Sequence, residues 1–274
     1  MKLLGRLFDF YLDSNIHVAL SVVALLWITS FYLDIPMNAK LNCFVFFATV
    51  SAYFFIRYVS TRFKYYLPLQ HNHRCLLIFA VICSGAGLWC SLSLYWSPSL
   101  FLVLALLFLF TAAYVLPVLP SNGNLRDFGL LKIILVALVW AGVTVILPII
   151  NAQLDFSWDM GIEVLQRFIL IVVLMLPFEV RDMKYDPPGL KTFPRRFGLG
   201  KTRMFGLGFV AFFFFLTFFK DTPGEYEPMT KGILSVFLTF LLCTMKRGQG
   251  KYFATFWVEA VPIFWGTFLW ALAN

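Results

Sequence analysis

Three acidic side chains in an otherwise oily sequence have types and spacing suited to metal chemistry. Glu179, Asp182 and Asp186 come just after the uncharged run ILIVVLMLP. Residues three and four positions apart on a helix share one face, so the three carboxylates would form one stripe. Clustered anions repel unless a cation lies among them, and Mg²⁺ binds through one or two carboxylates while leaving positions for water and phosphate oxygens. The spacing therefore predicts a magnesium site at Glu179, Asp182 and Asp186.

Basic residues follow the acids and favour an anionic ligand. A Pro-Pro-Gly break at 187–189 turns the chain, so that later cations can fold back toward the acids. These cations are Lys191, Arg195 and Arg196. Ammonium and guanidinium groups bind phosphate, so the stretch suits a diphosphate with a hydrocarbon tail. The alternative is a helix end at the membrane surface, where Arg181 and Lys184 neutralise the acids.

The elements that must position these residues are membrane-spanning helices. Of the 274 residues, 61% are hydrophobic and 13% are charged, against roughly 25% charged in a soluble domain. A helix needs about 20 apolar residues to cross the hydrocarbon of a bilayer. Nine stretches are predicted to span it: 16–34, 41–60, 75–96, 98–119, 131–150, 162–180, 204–219, 231–246 and 252–273. Because the connections are short, residues 1–274 are expected to form a single all-α polytopic membrane domain.

The distribution of Lys and Arg predicts the orientation, because positive loops stay cytoplasmic. With a cytoplasmic N-terminus, most basic residues, Lys132 among them, and the acidic stretch lie on the cytoplasmic side. The opposite side holds the C-terminus, Lys40, Lys220, Lys231 and most of the loop acids, including Glu227. The net charge of +8 is scattered among membrane loops, which favours contact with anionic lipid and gives no groove for nucleic acid. We expect an integral protein of a bacterial inner membrane, with no protein partner indicated.

Three other features have weaker chemical interpretations. His71 and His73 share a loop, but no Asp or Glu lies within ten residues of them to complete a metal site, so a solvated loop is favoured. The five Cys residues lack CxxC spacing and are interpreted as small core residues. Glu259 lies inside the last apolar stretch, where an ionisable group needs a partner or a cavity. Structural pairing and function are equally open for it.

The stretch PFEVRDMKYDPPGLKTFPRRFG (177–198) resembles the second aspartate-rich motif of the UbiA superfamily of intramembrane prenyltransferases. That motif has a D-x-x-x-D at the end of the sixth helix, then a Gly, a Lys-Thr pair and a basic stretch that closes on Gly. Asp182 and Asp186 match the two aspartates, Lys191-Thr192 matches the pair, and Gly198 matches the last Gly. Nine spans with this motif after the sixth also match the family. The resemblance implies a UbiA-like bundle around a central cavity open to the cytoplasmic side.

The first aspartate-rich motif of that family, N-D-x-x-D-x-x-x-D at the end of the second helix, is missing. The corresponding stretch is FFATVSAYFFIRYVSTRFKYY, and no Asp or Glu occurs anywhere from 35 to 126. The register places Arg57 near the position of the first lost aspartate. A guanidinium binds phosphate through two hydrogen bonds, so Arg57 is predicted to hold the diphosphate where the family uses a second metal ion.

Two hypotheses follow from the resemblance. The first is a Mg²⁺-dependent prenyltransferase that moves a prenyl group from a polyprenyl diphosphate to an aromatic or other lipid-soluble acceptor. In it, Asp182 and Asp186 are catalytic and hold Mg²⁺ with Glu179. Its diphosphate-binding residues are Arg57, Lys191, Arg195 and Arg196.

The alternative is a non-catalytic UbiA-like protein that binds an isoprenoid lipid or supports a partner enzyme, which the missing first motif favours. A transporter is a third possibility, although no internal repeat is evident. The two main hypotheses differ in one geometric expectation. An active site requires Arg57 and Asp182 to line one cavity, whereas Arg57 directed at lipid headgroups favours the non-catalytic alternative.

Overall fold

The computed structural model describes residues 2–59, 74–116, 129–184 and 192–273, and all regular structure in these ranges is helical. The α-helices are α1 (Lys2–Asp13), α2 (Ile16–Tyr32), α3 (Ala39–Phe54), α4 (Arg74–Ser91), α5 (Pro98–Val115), α6 (Gly129–Ala141), α7 (Leu147–Asn151), α8 (Trp158–Asp182), α9 (Phe193–Phe215), α10 (Glu227–Thr244) and α11 (Val261–Ala273). Short π-helical segments occupy Phe55–Val59, Gly142–Ile146 and Phe253–Val258, and a 3₁₀ turn occupies Leu216–Phe219.

The number of membrane spans agrees with the sequence prediction. Eight helical segments of the described chain are long and apolar enough to cross a bilayer. The pair α1 and α2, bent by 58° at Asp13–Ile16, brings the number to as many as nine. The α-helix and the π or 3₁₀ segment next to it count as one span where they are continuous. The protein is therefore an all-α, multi-pass membrane protein.

Helix α8 is the centre of the bundle and leads to the acidic stretch. In its 25-residue span, 61% of the apolar window is buried, against 11% for α5. Its start is fixed by Ser157, whose side chain accepts a hydrogen bond from the Met160 amide at 3.3 Å. It packs against α6 and α9, and its C-terminal end at Asp182 therefore lies among neighbouring helices.

Helix α9 begins 11 residues earlier than the sequence predicted. The predicted span is 204–219, whereas the helix begins at Phe193, with Pro194 in its first turn. Gly198 interrupts it with φ 79° and ψ 164°, a backbone conformation that is essentially restricted to glycine. Residues 195–203 are largely polar, so the sequence did not predict a helix there. The part before Gly198 forms a separate short helical piece ahead of the membrane helix.

Charged residues that the sequence placed in outer loops are buried in the protein. Lys220, Glu227 and Lys231 were assigned to the non-cytoplasmic surface, but each has at most 7% of its surface exposed. They meet Glu163 and Arg167 of α8, which the sequence analysis did not single out. Glu163 lies 3.0 Å from Arg167, 3.0 Å from Lys220 and 2.9 Å from Lys231. We call these five residues the α8 charge network.

Candidate functional site

A cavity of about 630 Å³ lies between α2, α3, α5, α6 and α8. Most of its wall is apolar or aromatic, as at Phe44, Leu104 and Ile171. It extends along α3 and the following π segment from Phe44 to Arg57, a distance of roughly 20 Å at about 1.5 Å per helical residue. An elongated, mostly apolar space of this volume is suited to a lipid-like ligand.

One end of the cavity contains charged side chains from four different parts of the chain. Arg57 comes from the π segment after α3, Lys132 from α6, Arg181 and Asp182 from the end of α8, and Glu259 from the position directly after the π segment Phe253–Val258. We call this group the charged end. Arg57 and Asp182 therefore line the same cavity, which is the arrangement that the hypothesis of an active site requires.

Asp182 and Glu179 are both paired with cations. The Asp182 carboxylate lies 2.7 Å from the Arg181 Nε and 3.5 Å from the Lys132 Nζ. Lys132 also lies 2.7 Å from Glu179, whose side chain is completely buried. Glu179 is not among the residues that line the cavity. Lys132 thus occupies the position of the cation that the clustered acids were expected to need.

Arg57 is held at the junction of α1 and α2. Its Nη1 donates to the Leu12 carbonyl and to the Asn15 Oδ1, both at 3.3 Å. Asn15 has a left-handed backbone, with φ 63°, which permits the sharp bend between these helices. The guanidinium is exposed at the cavity wall, so it has donors left for an anion.

Comparisons with known proteins show what this arrangement resembles. No family model and no curated protein matches the sequence. A solved UbiA homolog from Archaeoglobus fulgidus, bound to GPP and Mg²⁺, matches with a TM-score of 0.60 and 11% identity, over 94% of this chain and 98% of that chain. A second solved structure of a UbiA homolog from Archaeoglobus fulgidus matches with a TM-score of 0.60 and 11% identity, over 96% of this chain and 98% of that chain. This chain has the UbiA fold.

A third solved structure extends the likeness. It concerns a digeranylgeranylglyceryl phosphate synthase in membranes, and matches with a TM-score of 0.53 and 14% identity over 97% of this chain and 95% of that chain. The resemblance drawn from the acidic motif therefore agrees with the architecture of nearly the whole chain. At these identities the likeness concerns the UbiA fold alone.

The chemistry of Asp182 fits a magnesium ion. Carboxylate oxygens are the side-chain ligands that Mg²⁺ takes in proteins, and Asp182 presents one pair to the cavity. Asp186, the other expected ligand, lies outside the described residues. In the described ranges, no group of three His, Cys, Asp or Glu side chains is placed to hold a metal ion. Of the predicted set of three acids, Asp182 is the one whose described side chain lines the cavity.

The predicted phosphate-binding residues after the acids lie in two environments. Lys191 is outside the described residues, as are His71 and His73. Arg195 donates from its Nη2 to the Met183 carbonyl at 2.7 Å and so ties the start of α9 to the end of α8. Arg196 is exposed and lies 5.2 Å from the Phe197 ring. Neither arginine lines the cavity, and their role in binding stays a prediction.

Several residues that line the site were not among those predicted from the sequence. Lys132 was counted as one of the cytoplasmic basic residues, and only the packing of α6 against α8 brings it to Glu179. Trp140 donates from its Nε1 to the Tyr53 hydroxyl at 3.1 Å, and both line the cavity. One feature of the sequence does indicate Lys132. It is the single charge at the start of an otherwise uncharged apolar stretch, 131–150, where an ionisable group generally has a partner.

Proposed function

We propose that this protein is a membrane prenyltransferase that moves a prenyl group from a polyprenyl diphosphate to an aromatic or other lipid-soluble acceptor. The observation that supports this function best is that one mostly apolar cavity of about 630 Å³ has a charged end with Arg57, Lys132 and Arg181. A prenyl chain suits the apolar part, and a diphosphate suits the three cations. The likeness to a UbiA homolog bound to GPP and Mg²⁺ adds support.

The cations and aromatic rings have distinct parts in this reaction. As the prenyl C1–O bond breaks, its electron pair stays on the diphosphate, and Arg57, Lys132 and Arg181 stabilise the growing negative charge. Aromatic rings such as Tyr53 and Trp140 stabilise the positive charge left on the prenyl group by cation–π interaction. The acceptor then forms a bond to C1. The mostly apolar cavity wall disfavours water, which would otherwise compete for the cation.

Magnesium dependence is part of the proposal. Asp182, together with Asp186, would hold the ion, and Mg²⁺ when bound neutralises part of the charge of a diphosphate leaving group. Glu179 would act through Lys132, because the two side chains are paired. We further propose that the charged end faces the cytoplasm, with the N-terminus inside and the C-terminus outside, in a bacterial inner membrane.

The test is release of diphosphate by the purified protein in detergent with Mg²⁺. Polyprenyl diphosphates of different chain length are supplied with a membrane-lipid extract as the source of acceptor. We expect release that depends on the extract, and a loss of about 100-fold or more in Asp182→Asn, because an electrostatic contact in the transition state is worth that much. Asp155→Asn, an exposed loop change, serves as the matched control and keeps wild-type activity. Equal activity in Asp182→Asn and the control would contradict the proposal.

The non-catalytic alternative has one observation in its favour. Lys132 neutralises Glu179 and lies 3.5 Å from Asp182, so the described acids are stable without a metal or a substrate. This alternative predicts tight binding of a prenyl diphosphate, measured with a tritiated ligand, and no diphosphate release with any chain length or extract. Binding with release separates the enzyme from the binding protein.

A further inference from the structure

Glu259 is an acidic side chain without an assigned role in the proposed reaction. It lines the cavity at the charged end. Within the described ranges its carboxylate forms neither a hydrogen bond nor an ion pair, and the positive charges that act on it are those of Arg57 and Arg181. An ionisable group inside a membrane bundle is costly and is generally retained for a function.

The backbone at Glu259 is held in place by a π segment and by helix α2. The π segment Phe253–Val258 is directly followed by Glu259, whose amide donates to the Ala254 carbonyl, five residues back, at 3.3 Å. Such π turns shift the side-chain register and are frequent at functional sites. Helix α2 secures the segment, since the His17 Nε2 lies 3.0 Å from the Phe256 carbonyl and the Ser21 hydroxyl donates to the Glu259 carbonyl.

The charges at this end limit which acceptor can bind. The described charged residues that line the cavity, or pair with a lining residue there, are three cations and three carboxylates. They are Arg57, Lys132, Arg181, Glu179, Asp182 and Glu259. A diphosphate adds several negative charges to this balanced set, so an acceptor with its own carboxylate would face repulsion from Glu259. A neutral hydroxyl group would instead donate a hydrogen bond to it.

From these contacts we infer that Glu259 is the base that receives the acceptor proton, and that the acceptor is a neutral, hydroxyl-bearing lipid-soluble molecule. The inference rests on the proposed prenyl transfer. A lone pair of the acceptor oxygen forms the new bond to prenyl C1, and the C1–O bond to diphosphate breaks with its electron pair on the diphosphate. The hydroxyl proton moves to a Glu259 carboxylate oxygen. Glu259 returns it to water at the charged end before the next turnover.

The experiment compares Glu259→Gln and Glu259→Asp with the wild type in two assays. Binding of a tritiated polyprenyl diphosphate reports the donor site, and transfer to an alkylated hydroquinone or to its carboxylated counterpart reports the acceptor site. We expect Glu259→Gln to bind the diphosphate within about threefold of wild type but to lose about 100-fold or more in transfer, as loss of a general base does. Glu259→Asp, which keeps a carboxylate, retains part of the transfer. The wild type prefers the uncarboxylated hydroquinone.

The outcomes separate this inference from the proposed function. Wild-type protein that transfers to neither acceptor contradicts both. Wild-type transfer that survives in Glu259→Gln, or a wild type that prefers the carboxylated acceptor, overturns the role of Glu259 and leaves prenyl transfer standing. Glu225→Gln, an exposed loop change, is the control for removing an acid, and retained diphosphate binding shows that each variant is folded.

Discussion

Lys132 is the residue on which the electrostatics of the charged end depend. It lies between two carboxylates, at 2.7 Å from Glu179 and 3.5 Å from Asp182. A buried ion pair adds little stability over apolar side chains of similar size, but loss of one partner leaves a buried charge without compensation. Lys132 therefore compensates the buried negative charge at the end of α8, and in the proposed reaction it would also supply a positive charge for a bound diphosphate.

The double variant of this pair distinguishes those two roles. We expect Lys132→Met alone to destabilise the protein by about 3–5 kcal/mol, because the buried Glu179 carboxylate loses the cation that lies 2.7 Å from it. Adding Glu179→Met restores much of the stability, yet diphosphate binding stays weak because the cation is gone. Thermal unfolding in detergent and binding of a tritiated prenyl diphosphate measure the two effects. A double variant that binds as wild type would show that Lys132 is only structural.

At the scale of elements, breaks in regular helices place the functional residues. The three π segments contribute Arg57, Val143 and Val258 to the cavity wall, and Glu259 directly follows the last one. The break at Gly198 has a similar effect on α9, because it lets the first turn fold separately and bring Arg195 to the Met183 carbonyl. Irregular backbone in a membrane protein is tolerated where it lines a cavity or is buried in protein.

Gly198 and Gly200 form a matched pair for testing this break. A Cβ at either position meets no atom within 4 Å, but Gly198 has φ 79° and Gly200 does not have a positive φ. We expect Gly198→Ala to cost roughly 1–3 kcal/mol from backbone strain alone, whereas Gly200→Ala is neutral or slightly stabilising. Unfolding midpoints at one fixed heating rate report the difference. Equal midpoints for the two variants would argue against a strained break.

Across the whole molecule, the two ends of α8 have separate tasks. Its C-terminal end contributes Asp182 to the cavity, and its N-terminal half contributes Glu163 and Arg167 to the α8 charge network. Burial alone would lower the pKa of Lys220, but the carboxylates of Glu163 and Glu227 raise it above its usual value. The network thus ties α8 to α10 and to the chain after α9, about 24 Å from Glu179 at 1.5 Å per residue.

Removal of Glu163 should affect stability without affecting chemistry. Glu163→Gln takes the carboxylate partner from Arg167 and leaves Glu227 as the remaining anion of the network beside Lys220 and Lys231, so we expect a loss of about 3–5 kcal/mol. The folded fraction should keep the wild-type KM for prenyl diphosphate, because Glu163 does not line the cavity. Thermal unfolding and steady-state kinetics on monodisperse protein give the two readouts. A changed KM at unchanged stability would refute this division of tasks.

The amino-acid sequence by itself determined the fold class and the position of the principal motif. Apolar stretches of sufficient length have few solutions in a bilayer other than helices, which is why the nine spans could be predicted. Asp182 could be found because its spacing to Glu179 is local. The start of α9 could not, since polar residues before a membrane helix look like a loop and a single glycine sets the break.

Only the tertiary structure decided which side chains share one cavity. Arg57, Lys132 and Glu259 lie far from Asp182 in sequence, and their meeting depends on how α3, α6 and α11 are arranged around α8. The same holds for Glu163 and Lys231, which are 68 positions apart but lie 2.9 Å from each other. Hydropathy reports the depth of a residue in the membrane and gives no neighbour across the bundle. The pairing of charges, and with it the electrostatics of the site, depends on helix packing.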